Sequence, residues 1–331
     1  MAGALLGQAP SVFVYRYVLR RLVATLPVLV VVSIIVFVIM RVAPGNVAQM
    51  LLSGDAGGAA SAQEAQELNR QLGLDRPYPV QYVTFLGGLL RLDPGTSLWT
   101  KEPILRELWQ RLPVTLELTL LAVIISWTIA LPTGVLSAMY QDTWVDYAFR
   151  IFTVAGLAVP AFWAGTLLML LLVKQFHWMP PLGYVSPFVN PRLNLQQFIG
   201  PAVIIGFATA AILSRITRSA VLEVLREDYV RTARAKGLSG LVVVGRHVLK
   251  NALAPVVTLS AVQMGNLLGG AVVSETIFTL PGVGRFLVDA ILHRDYPVVQ
   301  TIVILFAAVV VMLNLLTDVL YSWFDPRTRQ T

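Results

Sequence analysis

The sequence predicts an all-α polytopic membrane protein with six transmembrane helices. Three observations lead there. Of 331 residues, 56% are hydrophobic and only 13% are charged, where a soluble domain carries roughly 25% charged residues. Six stretches of 19 to 24 residues contain no Lys, Arg, Asp or Glu, and a hydrocarbon core about 30 Å thick takes about 20 helical residues to cross. Apolar residues do not alternate with a period of two, so an outer-membrane barrel is not expected. The same composition excludes a disordered chain. With no cysteine, the chain has no disulfide, thiolate metal site or Cys nucleophile. His177, His247 and His293 are far apart in sequence, so a His-rich metal centre is not expected.

The first span covers residues 22–40, closed by Arg21 and Arg41. Its apolar run is too long for a signal peptide, and Met40-Arg41-Val42-Ala43-Pro44 is not a small-residue cleavage site. The helix is therefore read as retained. Residues 41–114 form an external segment. Small residues at 54–62 read as a flexible run. A short helix follows over 61–71, with Ser61 as cap and Glu64 at capping-box spacing. Asp75-Arg76-Pro77 ends it. Residues 78–90 form an amphipathic or interfacial helix with Tyr82, Phe85 and Leu89 on one side, and Pro79 is tolerated in its first turn. Asp93-Pro94-Gly95-Thr96 is a turn, and residues 104–109 read as a further short helix. Residues 41–113 carry seven basic and seven acidic side chains. Such a segment covers the bundle, or also receives a partner that carries substrate.

Residues 115–320 hold the other five spans, at 118–141, 151–173, 193–214, 251–274 and 296–317. The fourth is the shortest in effect, because its polar start leaves an apolar heart of 199–213. Between the fourth and fifth lies an inside loop, 215–250. It carries Arg215, Arg218, Arg226, Arg231, Arg234, Lys236, Arg246 and Lys250 against Glu223, Glu227 and Asp228. Residues 220–236 have helical spacing, with Val221, Leu225 and Tyr229 on one side. Gly237 breaks that helix, and a second short helix, 241–249, leads into the fifth span. This shape suits docking on a cytoplasmic partner. The charge alone also fits a loop held against anionic lipid.

Within the fifth span, Gly265 and Gly269 form a small-xxx-small pair suited to helix packing. Glu275 follows just after the span, and Pro281, Gly282 and Gly284 make a tight turn in the last external loop. Asp318 beside Asn314 interrupts the inner end of the sixth span, as a functional group or as an interfacial one.

Orientation follows from Lys and Arg. With the N-terminus inside, the inside segments carry 14 basic residues and the two short outside loops carry 2 each, as cytoplasmic retention of basic loops requires. Residues 1–21 are then a cytoplasmic N-terminal segment and 321–331 a cytoplasmic tail. Trp144, Trp178 and Trp323 fall near span ends, where interfacial anchors sit. No G-x-x-x-x-G-K-[ST] loop is present, and Gly282-Val283-Gly284 lacks the strand–glycine–helix setting of a dinucleotide site. The chain is expected to bind no cofactor or metal and to catalyse nothing.

Several motifs resemble one family. The stretch Asp228-Tyr229-Val230-Arg231-Thr232-Ala233-Arg234-Ala235-Lys236-Gly237-Leu238-Ser239 looks like the EAA-type coupling loop of a binding-protein-dependent ABC importer permease. Leu72-Gly73-Leu74-Asp75-Arg76-Pro77, Arg111-Leu112-Pro113-Val114-Thr115-Leu116-Glu117-Leu118, residues 275–285, Arg294-Asp295-Tyr296-Pro297 and Asp325-Pro326-Arg327 resemble the dipeptide/oligopeptide/nickel permease family, in its order. The chain is similar to the first of that family's two permease subunits. It departs from the pattern at Pro44-Gly45-Asn46, at Leu92-Asp93-Pro94-Gly95 and at Gly240.

The resemblance implies a type I (MetI-like) permease fold in the bacterial inner membrane. It implies a homologous second permease, one or two cytoplasmic ATPases holding ATP and Mg, an external solute-binding protein and surrounding lipid, with no nucleic acid. Ala233, Gly237, Leu238, Ser239, Arg246 and His247 would couple to the ATPase. Dipeptides or short oligopeptides would be the cargo, with nickel chelates or glutathione-like solutes as the alternative. A secondary transporter driven by an ion gradient would be expected to show inverted repeats and a mid-membrane ion site, and the sequence shows no clear repeat. A receptor or structural membrane subunit is the third class.

Overall fold

A computed structural model describes residues 10–42, 48–49 and 62–324, with side chains over 23–42, 48–49 and 63–317. The expected flexible run before Ala62, the Ser61 cap, the motif at Pro44 and the side chains of Asp318 and Trp323 lie outside the described residues. The elements are α1 (Pro10–Val42), α2 (Ala62–Gln71), α3 (Tyr78–Leu90), α4 (Ile104–Met139), α5 (Trp144–Ala158), α6 (Ala161–Phe176), α7 (Pro191–Leu225), α8 (Asp228–Ala235), α9 (Gly240–Val243), a π-turn (Val244–Val248), α10 (Leu249–Ile277), α11 (Val283–Leu292) and α12 (Tyr296–Phe324).

Among the described residues, five helical runs are long and apolar enough to cross a membrane: Val23–Val42, Ile104–Met139, Pro191–Leu225, Gly240–Ile277 and Tyr296–Thr317. The expected third span is not one straight helix. It is the pair α5 and α6, bent by 93°. The cause is local: Val159 precedes Pro160 and is extended at φ −89°, ψ 117°, the conformation that a following proline imposes. Counted as one broken span, the pair makes six. The fourth span is longer than its apolar heart implied, because α7 starts at a Pro with Asn190 as cap, its side chain accepting from the Leu193 N–H at 3.1 Å.

The described residues divide into two compact units, Met1–Pro113 with Gly282–Val311, and Val114–Pro281 with Met312–Thr331. In the first, α3 lies on α1. The Tyr82 ring meets Phe37 edge-on at 5.4 Å, and its hydroxyl is 2.7 Å from Ser33 Oγ. Tyr82 therefore faces inward from its helix, as the sequence spacing indicates. Gln81 is buried and closes the turn before α3, donating to the carbonyls of Leu74 at 3.0 Å and Arg76 at 2.7 Å. Asp295 takes the Ser97 hydroxyl at 2.5 Å and the Trp99 N–H at 3.2 Å, tying the 93–103 turn to the start of α12. Ile104, Leu108, Val283, Phe286, Val298, Val299 and Ile302 make this unit's apolar core. The expected short helix at 104–109 is the first part of α4, which runs unbroken through Pro113. Proline forfeits one hydrogen bond there, and buried anchors offset the loss: Ile104 and Leu108 before it.

In the second unit α10, α5 and α6 pack on α7. Its core is Val114, Leu118, Ala122, Phe198, Ala202, Ile205, Leu267, Ala271, Phe278 and Leu280. Helices α4 and α7 approach closely. A Cβ built on Gly206 would lie 2.8 Å from the Ala122 carbonyl oxygen, and one on Gly134 would lie 2.7 Å from that of Ser214. The Thr133 hydroxyl donates to Ser214 Oγ at 2.8 Å across the same crossing. Small residues and hydroxyl bonds are what hold helices together in lipid, where apolar area alone gives no preference between neighbours.

Candidate functional site

The loop singled out by its charge is built from the end of α7 onward. Helix α7 extends to Leu225, so Arg215 and Arg218 belong to a span rather than to a free loop. The break falls at Arg226 and Glu227, not first at Gly237. Glu227 is extended at φ −68°, ψ 145° and starts α8. One face of α8 is apolar, with Val230 and Ala233 buried. Gly237 then turns the chain with φ +80°, a left-handed conformation that costs a side-chain-bearing residue roughly 1–2 kcal/mol. A Cβ there would meet nothing within 4 Å, so conformation, not crowding, calls for glycine. Ser239 precedes α9 with its side chain making no cap bond.

The expected second short helix is not separate from the fifth span. Helix α9 continues through the π-turn into α10. In a π-turn residues five apart come to one side, and Val243 and Val248 accordingly share an apolar cluster. That cluster is Ala138, Ala220, Val221, Val230, Ala233, Val243, Val248 and Ala252. It roots the loop on α4, α7, α8 and α10. Asn251 Nδ2 donates to the Tyr229 hydroxyl at 2.7 Å and adds a polar tie.

Above this root, the tip faces outward. Leu238, Leu241 and Val242 are exposed, Leu241 at 78%. Arg231, Arg234, Lys236 and Arg246 are exposed around them, and His247 is half-buried. Of the six residues expected to couple, Ala233 belongs to the root. Gly237, Leu238, Ser239 and Arg246 belong to the exposed tip, and His247 lies between. The Arg231–Asp228 pair, 3.4 Å apart and solvent-exposed on both sides, contributes little.

Beside the root is a polar clamp that sequence reasoning missed. Asp146 on α5 is fully buried. It receives Arg218 of α7 in a fork, Nη2 to Oδ2 at 2.6 Å and Nε to Oδ1 at 2.8 Å. The Ser137 hydroxyl of α4 donates to Oδ1 at 2.5 Å, and the Asp142 N–H to Oδ2 at 3.1 Å. Three helices thus meet on one carboxylate. Planar two-bond pairing of this kind fixes orientation as well as charge. The two partners are 72 residues apart, so no local pattern marks them.

Of the residues expected in the last external loop, Pro281 and Gly282 lie in the connection between α10 and α11, whereas Glu275 and Gly284 are helical. Glu275 is inside α10, fully buried, and accepts the Thr115 hydroxyl at 2.6 Å. The apolar run ended at Ser274, but the helix runs on to Ile277, and the Leu280 N–H closes it on the Glu275 carbonyl at 2.9 Å. Gly282 and Gly284 are buried and open α11, and Pro281 is half-buried. Of the expected packing pair, Gly269 makes no close contact within the chain. A Cβ on Gly269 would meet nothing within 4 Å, whereas one on Gly270 would lie 3.2 Å from Ile205. Gly269 is exposed, one turn from the exposed Asn266, whose Nδ2 donates to Gln263 Oε1 at 2.9 Å.

A second polar cluster holds the loop before α7. Glu117 accepts from the Tyr184 hydroxyl at 3.0 Å and from Asn194 Nδ2 at 2.5 Å. Gln197 is fully buried and donates to the carbonyls of Pro181 and Gly183. Burial, with the Glu117 carboxylate beside it, raises the Tyr184 hydroxyl above its ordinary pKa.

Comparison with known proteins gives a consistent set of likenesses. Residues 130–330 match the family model described as binding-protein-dependent transport system inner membrane component, and residues 14–119 match its N-terminal companion model. A dipeptide transport system permease protein, DppB, of Alkalihalophilus pseudofirmus is 39% identical over 95% of this chain and 99% of its own. A probable peptide ABC transporter permease protein, y4tP, of Sinorhizobium fredii is 40% identical over 95% and 99%. A glutathione transport system permease protein, GsiC, of Salmonella typhimurium is 39% identical over the same shares.

Proposed function

The chain belongs to the family of binding-protein-dependent transport system inner membrane components, and on that premise we propose that it couples ATP hydrolysis in a cytoplasmic partner to the import of short peptides. It is a multi-pass permease of the bacterial inner membrane and a non-catalytic component of its transporter. The proposed assembly pairs it with a homologous second permease, one or two ATPases that hold ATP and Mg, and an external solute-binding protein. In this reading both termini and the loop from 215 to 250 are cytoplasmic.

One observation carries the coupling role: an exposed apolar tip, Leu238, Leu241 and Val242, stands on a buried root. The tip fits a groove on a partner, with Arg234, Lys236 and Arg246 around its rim. The root transmits movement of the tip to α4, α7 and α10, and the Asp146–Arg218 clamp carries α5 with them. Coupling of this kind is a free-energy link between distant sites and needs no chemistry within the bilayer. The open polar face of α10 at Gln263, Asn266 and Gly269 supports a second role, facing the other permease along the pathway, since lipid disfavours an exposed amide.

Short peptides fit best as cargo, because two relatives are named for dipeptide or peptide transport and the third for glutathione, itself a tripeptide. The external departures at Leu92-Asp93-Pro94-Gly95 separate this chain from the family pattern where a binding protein would dock.

Gly237→Leu tests the coupling. The complex purified from its native membrane should still contain a second permease and ATPases, but uptake of a labelled dipeptide should fall well over tenfold while ATP hydrolysis persists. Gly237→Asn should stay close to wild type, because Asn tolerates the left-handed conformation. Normal uptake by Gly237→Leu, or purification without any ATPase, would defeat the assignment. Excess glutathione or a nickel chelate that outcompetes dipeptide would shift the cargo.

A further inference from the structure

In the unit formed by Met1–Pro113 and Gly282–Val311, a cavity of about 400 Å³ lies where the span ending at Val42 and the span beginning at Tyr296 come together. Arg41, Arg76, Gln81, Asp93, Tyr296 and Gln300 are among its lining residues.

Arg41 is held from three directions. Its Nε donates to Gln81 Oε1 at 2.8 Å, and its guanidinium lies 4.8 Å from the Phe37 ring centre and 4.7 Å from that of Tyr296. Gln81 is occupied in turn by the carbonyls of Leu74 and Arg76. The guanidinium is therefore fixed in place, yet its Nη1 is buried without a hydrogen-bond partner. Gln300 is only 2% exposed, and its Nε2 is likewise buried without a partner. Among the described residues three buried side-chain nitrogens lack a partner, and two of them belong to residues lining this one cavity.

A buried donor left unpaired costs about 1–3 kcal/mol, more when charged, and native proteins rarely retain one without a reason. Both groups here are donors, so what both lack is an acceptor. The charged lining residues are two arginines against one aspartate, a balance that suits a single negative charge. The location is also specific. Arg41 and Tyr296 stand at span ends, the depth at which the hydrocarbon core gives way to headgroups.

We propose that this cavity binds a monoanionic oxygen group, a phosphodiester or a carboxylate, between Arg41 and Gln300. A phospholipid headgroup and a small free carboxylate share that chemistry. The inference does not depend on the coupling role of the Gly237 loop.

The test uses the full-length chain, delipidated in detergent, with thermal unfolding read against two probes. Dihexanoylphosphatidylglycerol supplies a lipid phosphodiester. The dipeptide Ala-Ala supplies a free carboxylate, and its amide lacks one. Wild type should be stabilised by at least one of the anionic probes and not by the amide. Gln300→Leu removes the unpaired donor at similar volume. Its midpoint without probe should equal or exceed that of wild type, while its affinity for the effective probe falls about tenfold or more, as loss of a hydrogen bond to a charged group predicts. Gln300→Glu places a carboxylate where the ligand oxygen would sit, and should abolish binding with folding retained. Stabilisation by the lipid probe alone supports a headgroup site, and by Ala-Ala alone a solute site. No stabilisation by either probe, or equal stabilisation of wild type and both variants, would overturn the proposal and leave the cavity to water.

Discussion

Asp146 and Gly237 show two ways in which one residue controls the architecture. Asp146 is buried with four donors on its carboxylate, two of them from Arg218. Removing one member of a buried ion pair leaves the other uncompensated, at about 3–5 kcal/mol. Arg218→Leu is therefore expected to lower the thermal midpoint of the detergent-purified protein sharply. Arg218→Lys should fall between, since ammonium keeps the charge but cannot reproduce the two-bond fork. Equal midpoints for Arg218→Leu and wild type would remove the clamp from the structure's essential features. Gly237 acts through backbone conformation alone. It was legible in the sequence as a helix breaker within a basic loop, whereas Arg218 read there as one more loop cation.

At the level of elements, α4 and α7 approach closely through small residues. On α7, Gly206 admits the Ala122 carbonyl of α4, and Gly134 of α4 faces Ser214 and Thr217. Gly206→Ala should destabilise by about 1–3 kcal/mol, the usual cost of overpacking. Gly269→Ala makes no contact within the chain and should be neutral or gain up to about 1 kcal/mol of helix propensity. Thermal unfolding of the two variants side by side checks the difference. A pattern of two glycines four apart pointed to Gly265 and Gly269, yet it is Gly270 that meets Ile205 within the chain, because spacing on one helix does not say which face meets a neighbour. The bend between α5 and α6 was not read from the sequence, although the pair Val159-Pro160 that produces it stands there. Nor was the run of α4 through Pro113, because buried residues there outweigh a local rule.

For the whole molecule, the decisive question is which side of the membrane each loop occupies. The chain has no cysteine, so single introduced cysteines can be labelled without background. Leu92, Phe188 and Leu241 are 75%, 97% and 78% exposed. With α5 and α6 as one broken span, Leu92→Cys and Phe188→Cys should react with an impermeant maleimide from outside intact cells, and Leu241→Cys only after lysis. If α5 and α6 instead return to the side they left, Phe188→Cys will be protected and Leu241→Cys will react from outside. That result would overturn the cytoplasmic placement of the coupling tip.

The sequence by itself determined the five long apolar helices, the basic stretch around Gly237, the helix at 78–90 and the turn at Gly237. Each depends on quantities summed over neighbouring residues: apolar length, charge, and backbone preference. Only the tertiary structure decided which groups meet. Arg218 finds Asp146 at a separation of 72 residues, Glu275 finds Thr115 at 160, and Arg41 and Gln300 come to line one cavity. In a bilayer, apolar surface is satisfied equally well by lipid or by another helix. Hydrophobic length can therefore place a helix in the membrane, while polar pairs and close glycine contacts choose its neighbours.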